Sequence, residues 1–177
     1  APFVEAFIEA GRGLIAAGCT GIATTCGFLS LLRPQLATAL GVPVAASALE
    51  QIAQINAMLP EGKRAGVLTI SADSLSADHL RIAGAPEQTP IAGMDGSHFA
   101  TAILGNAAEL DTHLARQEIV AAAQAFVERT PALGAIVLEC TNMPPYADDV
   151  AAATGLPVHS ILSYLTWFEA GLAPRSF

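Results

Sequence analysis

Positive charge is scarce in this chain. Lys and Arg together number 8 against 16 Asp and Glu, a net charge of −8. That balance argues against nucleic acid or an anionic membrane as a partner. Charged residues of both signs reach only 14%, against 53% hydrophobic, so the chain should bury a substantial core rather than stay disordered. Long apolar runs are missing too, and none could span a bilayer. No signal-peptide pattern opens the sequence. Cysteine is rare, at 3 residues. An odd count fits free thiols in a reducing, cytoplasmic compartment better than a disulfide framework. His79, His98, His113 and His159 lack metal-ligand spacing, which excludes a histidine-based metal site. The glycines form no phosphate-binding fingerprint after a strand, which argues against a nucleotide.

What is present centres on the stretch Gly134 to Tyr146, GAIVLECTNMPPY. Its continuous apolar run predicts a buried parallel strand. Pro144 and Pro145 suit the first turn of a following helix, where a missing N–H costs nothing. Cys140 then lies at the carboxyl end of a strand, facing a helix N-terminus, where open α/β sheets bind ligands. Backbone N–H groups there favour an anion, a thiolate included.

The pattern occurs twice. Gly21 to Phe28, GIATTCGF, is again a short run ending in cysteine. Cys26 is followed 15 residues on by Gly41-Val42-Pro43-Val44, and Cys140 15 residues on by Gly155-Leu156-Pro157-Val158. Each half reads strand, cysteine, helix, strand, helix. This internal repeat predicts two similar half-molecules, each with one thiol at a strand end.

In chain order, a helix runs to about Ala17. Cys19 lies outside the repeat and reads as core filler. A helix starts near Pro34 and stops at Gly41, Val42 to Ala46 is a strand, and Ser47-Ala48-Leu49-Glu50 is a capping box opening a helix to Leu59. Pro60 to Arg64 is the linker, dividing an N-terminal lobe, 1–60, from a C-terminal lobe, 61–159. A last helix within 160–177 packs back on the first lobe. Ala65 to Ser71 and Thr89 to Gly93 are strands. Met94 to Ala108 is a loop with a short helix that could act as a lid, and a long helix follows to Arg129. The second half begins with a strand and the first with a helix. A strand before Ala1 is therefore expected to be missing from an N-terminally shortened chain, leaving a gap in the first sheet or a substitute from elsewhere.

Two thiols at matched strand ends allow a specific chemistry. A carbon acid is inverted when one group removes its proton from one face and another returns one to the opposite face. Thiols ionise near neutral pH, so each can be acid or base in turn. Gly27, Thr141 and Asn142 would present N–H groups and small polar side chains to a carboxylate and to the developing enolate oxygen. Thr25 and Thr141 divide between turn hydrogen bonds and substrate contact. Glu139 and Tyr146 read first as structural.

The segments Thr24-Thr25-Cys26-Gly27-Phe28 and Glu139-Cys140-Thr141-Asn142-Met143-Pro144-Pro145-Tyr146 resemble the paired cysteine motifs of the aspartate/glutamate racemase superfamily. That group includes hydantoin and allantoin racemases, maleate isomerase and arylmalonate decarboxylase. The resemblance spans essentially the whole chain. It implies an α/β fold of two pseudo-symmetric flavodoxin-like lobes with parallel sheets, a cleft between them, and no cofactor. It makes Cys26 and Cys140 the acid/base pair, and it matches Ser71 to the family's Thr/Ser-bearing loop. The activity implied is racemisation of an amino acid or a derivative, with a small carboxylate or carbonyl substrate. A decarboxylase or cis–trans isomerase is the alternative within the group. A non-catalytic small-molecule binding module is the alternative outside it. Apolar lobe faces favour a homo-oligomer.

Overall fold

Strands that are apolar at every position need cover on both faces, and the second half of the chain supplies it. A computed structural model describes residues 2–176. In order the elements are α1 (Pro2–Ala16), β1 (Ile22–Ala23), α2 (Arg33–Leu40), β2 (Val44–Ala45), α3 (Ile52–Met58), β3 (Arg64–Thr69), α4 (Ala77–Ala83), β4 (Ile91–Gly93), α5 (His98–Leu104), α6 (Thr112–Arg129), β5 (Leu133–Leu138), α7 (Ala147–Thr154), β6 (Val158–His159) and α8 (Ile161–Leu172). Short 3-10 turns lie at Gly27–Leu32, Ala48–Gln51 and Pro144–Tyr146.

The larger sheet is parallel with strand order β4-β3-β5-β6. Counted within its own half this is the order 2-1-3-4, as in flavodoxin-like sheets. Its side chains alternate between two cores. Val67, Ala135 and Val137 pack with Ile52, Ile55 and Leu80, while Leu68, Ile136 and Leu138 pack with Phe99, Ile119 and Phe126. The period of two therefore survives inside an all-apolar run, because each face meets its own helices.

The repeat is a property of the backbone. Cys26 and Cys140 are 140 − 26 = 114 residues apart, and the same shift maps α2 onto α7 residue for residue. It also maps the strand pairing: Ile22↔Val44 and Ala23↔Ala45 become Ile136↔Val158 and Val137↔His159. The N–H of Ile22 donates to Pro43 O at 3.0 Å, and that of Ile136 to Pro157 O at 2.9 Å. Gly41 and Gly155 end their helices with φ of 67° and 69°, a left-handed conformation that disfavours a side chain.

The first half holds only β1 and β2. No strand pairs with the outer side of β1 among the described residues. Helix α1 packs on α2, and Phe7, Gly11 and Leu14 share an apolar cavity of about 150 Å³ with Ile22 and Leu36.

Helix α8 packs on β2 and β6, with Ile161 and Tyr164 against Ala45. A polar cluster anchors it. The Tyr164 hydroxyl donates to Glu50 Oε2, and Arg33 Nε lies 3.2 Å from Glu50 Oε1. Arg33 Nη2 donates to Ile82 O at 2.7 Å. Burial raises the Glu50 pKa, opposed by Tyr164, the Ala46 N–H and Arg33. The Tyr164 ring stacks on Trp167, with centroids 5.8 Å apart.

Several local expectations are corrected. The strand read over Val42–Ala46 is limited to Val44–Ala45. The capping box does not close: Ser47 Oγ accepts from Leu49 N at 3.2 Å, but Glu50 turns back to the Ala46 N–H and is drawn into the Arg33 cluster. Cys19 is exposed rather than core filler: it lies in the turn after α1, next to Gly18 at φ 99°. The short helix read after Met94 is present as α5, and its start is held by Glu118, which accepts from the N–H groups of His98 and Phe99 at 2.8 Å each, with Phe99 buried edge-on to Tyr146.

The matched helix ends give a paired prediction. Gly41→Ala and Gly155→Ala should each destabilise by about 1 kcal/mol, because both force a β-carbon into the left-handed region with no neighbour to blame. Urea unfolding of the two variants should give equal losses within error.

Candidate active site

Both cysteines stand where a strand has ended and a turn begins. Cys26 precedes the 3-10 turn Gly27–Leu32 in extended backbone, and its carbonyl accepts from Leu29 N at 3.0 Å. Cys140 follows β5, and its carbonyl accepts from Met143 N at 3.0 Å. The two turns are images of each other under the shift of 114. Thr24 fixes the first: its hydroxyl donates to Ala46 O at 2.6 Å and lies 3.3 Å from Cys26 O.

One hydrogen bond joins the two motifs directly. The Thr141 hydroxyl donates to Thr25 O at 2.7 Å, tying the residue after one cysteine to the residue before the other. Beside it lies a cavity of about 230 Å³. Thr25, Cys26, Gly27, Cys140, Thr141 and Asn142 all line it. Six of the seven site residues expected from sequence therefore line one cavity. Ser71 does not line it: its hydroxyl donates to Ser74 Oγ at 3.0 Å within its own loop, and its neighbour Ile70 lines the cavity instead.

Sequence reasoning missed the rest of the lining. Phe28, Ile70, Ile103 and Leu104 supply an apolar side, the last two from α5. A short apolar turn after a cysteine could have pointed to Phe28; nothing local marks Ile103 or Leu104. Glu139 also lines the cavity, where a structural contact was expected. Its Oε2 accepts from Thr69 Oγ1 at 2.7 Å, and its Oε1 is buried without a partner. No Lys or Arg lines the cavity, and Arg33, the basic residue nearest Cys26 in sequence, is engaged with Glu50 and Ile82.

The two thiols differ in environment. Cys26 is exposed, while Cys140 is 8% exposed. Burial pushes the Cys140 pKa up. The Asn142 backbone N–H opposes this, and Asn142 Nδ2, donating toward Sγ at 3.9 Å, opposes it as well. Cys26 raises it slightly further. A thiol with a raised pKa stays protonated through the ordinary thiol range. Exposure thus separates the two thiols: Cys140 is sheltered and protonated through that range, and Cys26 is open to solvent. Among the described residues no cluster of His, Cys, Asp or Glu could hold a metal ion, and no helix is long and apolar enough to cross a membrane.

Comparison with known proteins bears on this site. A sequence profile described as Asp/Glu/Hydantoin racemase matches residues 2–167. A dimethylsulfoniopropionate lyase of Durusdinium sp. clade D is 26% identical over 87% of this chain and 53% of its own length. Dimethylsulfoniopropionate lyase 7 of Emiliania huxleyi (strain CCMP1516) is 28% identical over 95% of this chain and 52% of its own. The chain spans about half the length of these curated relatives. Unliganded arylmalonate decarboxylase has the same fold, with a TM-score of 0.65 at 16% identity over 99% of this chain and 78% of that one.

The contrast in burial sets the order of thiol modification. Iodoacetamide at neutral pH should label the exposed Cys19 and Cys26 well before Cys140, with Cys140 labelling accelerating only above the ordinary thiol range. Peptide mapping by mass spectrometry, repeated across pH, reads both effects.

Proposed function

The chain belongs to the Asp/Glu/hydantoin racemase family, and on that footing we propose that its two cysteines move a proton on and off a carbon next to a carboxylate or carbonyl, without a cofactor, inverting that carbon. The carrying observation is that Cys26 and Cys140 line one cavity of about 230 Å³, a size suited to a molecule like an amino acid. One thiolate takes the proton, the charge moves onto the substrate oxygen, and the other thiol delivers a proton to the opposite face. The N–H groups around Gly27 and Thr141-Asn142 would hold the substrate oxygens.

The dimethylsulfoniopropionate lyases among the relatives favour a second reading, β-elimination. The first step is the same. The C–H electron pair then forms a C=C bond to the β-carbon, and the C–S bond breaks to release neutral dimethyl sulfide and acrylate. The abstracted proton remains on the thiol and returns to solvent. Only one cysteine must act as base, and a cavity without Lys or Arg suits a substrate that carries its own positive charge.

The two readings separate on one pair of variants. Under inversion, Cys26→Ser and Cys140→Ser should each lower racemisation roughly 10²- to 10⁴-fold. Under elimination, only the variant lacking the base should lose that much. The assay is a panel in D₂O containing single enantiomers of amino acids and hydantoins together with dimethylsulfoniopropionate. Loss of optical rotation, α-deuterium uptake and dimethyl sulfide release are followed. Full activity in both variants would rule out thiol chemistry.

A further inference from the structure

Glu139 is the residue of the cavity that the thiol mechanism leaves without work. It is 1% exposed. Its carboxyl reaches from the end of β5 toward the opposite motif, where it occupies the space beside Gly27: a β-carbon placed on Gly27 would lie 2.0 Å from Oε1 and 2.9 Å from Cδ. Only a glycine leaves room for that oxygen. Thr69 donates to Oε2, while Oε1 has no partner. Among the described residues no ion pair reaches Glu139.

A buried carboxylate with no cation and one free oxygen is costly, and it escapes that cost by taking up a proton. Burial accordingly raises the Glu139 pKa, with the Thr69 hydrogen bond opposing. The position of the proton follows from the hydrogen bond already made. Oε2 accepts from Thr69, so it is the carbonyl oxygen, and the hydrogen belongs on Oε1. That leaves a buried, unpartnered Oε1 directly behind the Gly27 turn that lines the cavity, where a substrate oxygen meets it once that turn gives way.

We propose that Glu139 is a neutral carboxylic acid whose Oε1–H donates a hydrogen bond to the substrate's carboxylate or carbonyl oxygen beside Gly27. The inference rests on the proposal that this cavity removes a proton next to such a group. It gives that reaction a donor at the oxygen where negative charge gathers, in a cavity with no Lys or Arg to serve instead. It also accounts for the glycine after Cys26. The donor is matched to charge that grows as the proton leaves, so Glu139 is a catalytic residue distinct from the two bases.

Infrared spectroscopy tests this without turnover. At neutral pH the protein should show the C=O stretch of a protonated carboxyl group, absent from Glu139→Gln and retained in the Cys26→Ser/Cys140→Ser double variant. Propionate, a carboxylate probe, should shift that band to lower frequency as Oε1–H donates to it. Glu139→Ala should bind propionate at least about tenfold more weakly. Glu139→Gln keeps an N–H donor in the same place and should stay within about threefold. No protonated band, a band unmoved by bound propionate, no uptake of propionate, or undiminished binding by Glu139→Ala would each overturn the proposal. Failure of the thiol mechanism would show instead as unaffected turnover in the cysteine variants, with the band still present.

Discussion

Parallel strands end together. In a parallel sheet every carboxyl end lies on the same side, so a residue placed just past a strand is carried to a common edge whatever else its half of the chain does. This chain uses that constraint twice, with the same pairing register 114 residues apart. The Thr141–Thr25 hydrogen bond then closes the two edges on each other. Everything specific to the cavity follows: two thiols on its lining, an apolar side from Phe28 and α5, and the buried Glu139 between the motifs.

The symmetry holds in the backbone and is broken in the surroundings. Cys140 follows a six-residue strand that is paired on both sides and covered on both faces. Cys26 follows a strand of two residues with one neighbour. One thiol is therefore sheltered and the other wet, although their local turns match.

The parts of the fold that sequence made legible are those fixed by local chemistry. Pro34 starts α2, Gly41 and Gly155 stop their helices, and the repeated cysteines mark the strand ends; all are decided within a few residues. The parts that were illegible depend on distant partners. Glu50 looked like half of a capping box and is claimed by Arg33 and by Tyr164, 114 positions away. Glu118 fastens α5 from the middle of α6, which no pattern around His98 discloses. Ser71 was brought forward by resemblance alone, and its hydroxyl is satisfied by Ser74 before it can reach the cavity. Glu139 was legible as a residue but not as a buried acid, because the oxygen it leaves unpaired is defined only by what surrounds it in space.

The stack of Trp167 on Tyr164 has a practical side. The chain contains a single tryptophan, and it rides on the helix that closes the Arg33–Glu50 cluster. Its fluorescence is therefore a built-in gauge of one event, the seating of α8. Emission can be followed through a titration or a thermal ramp without attaching a dye, and a spectral change that precedes loss of far-ultraviolet dichroism would mark that helix lifting away while the main sheet is still whole.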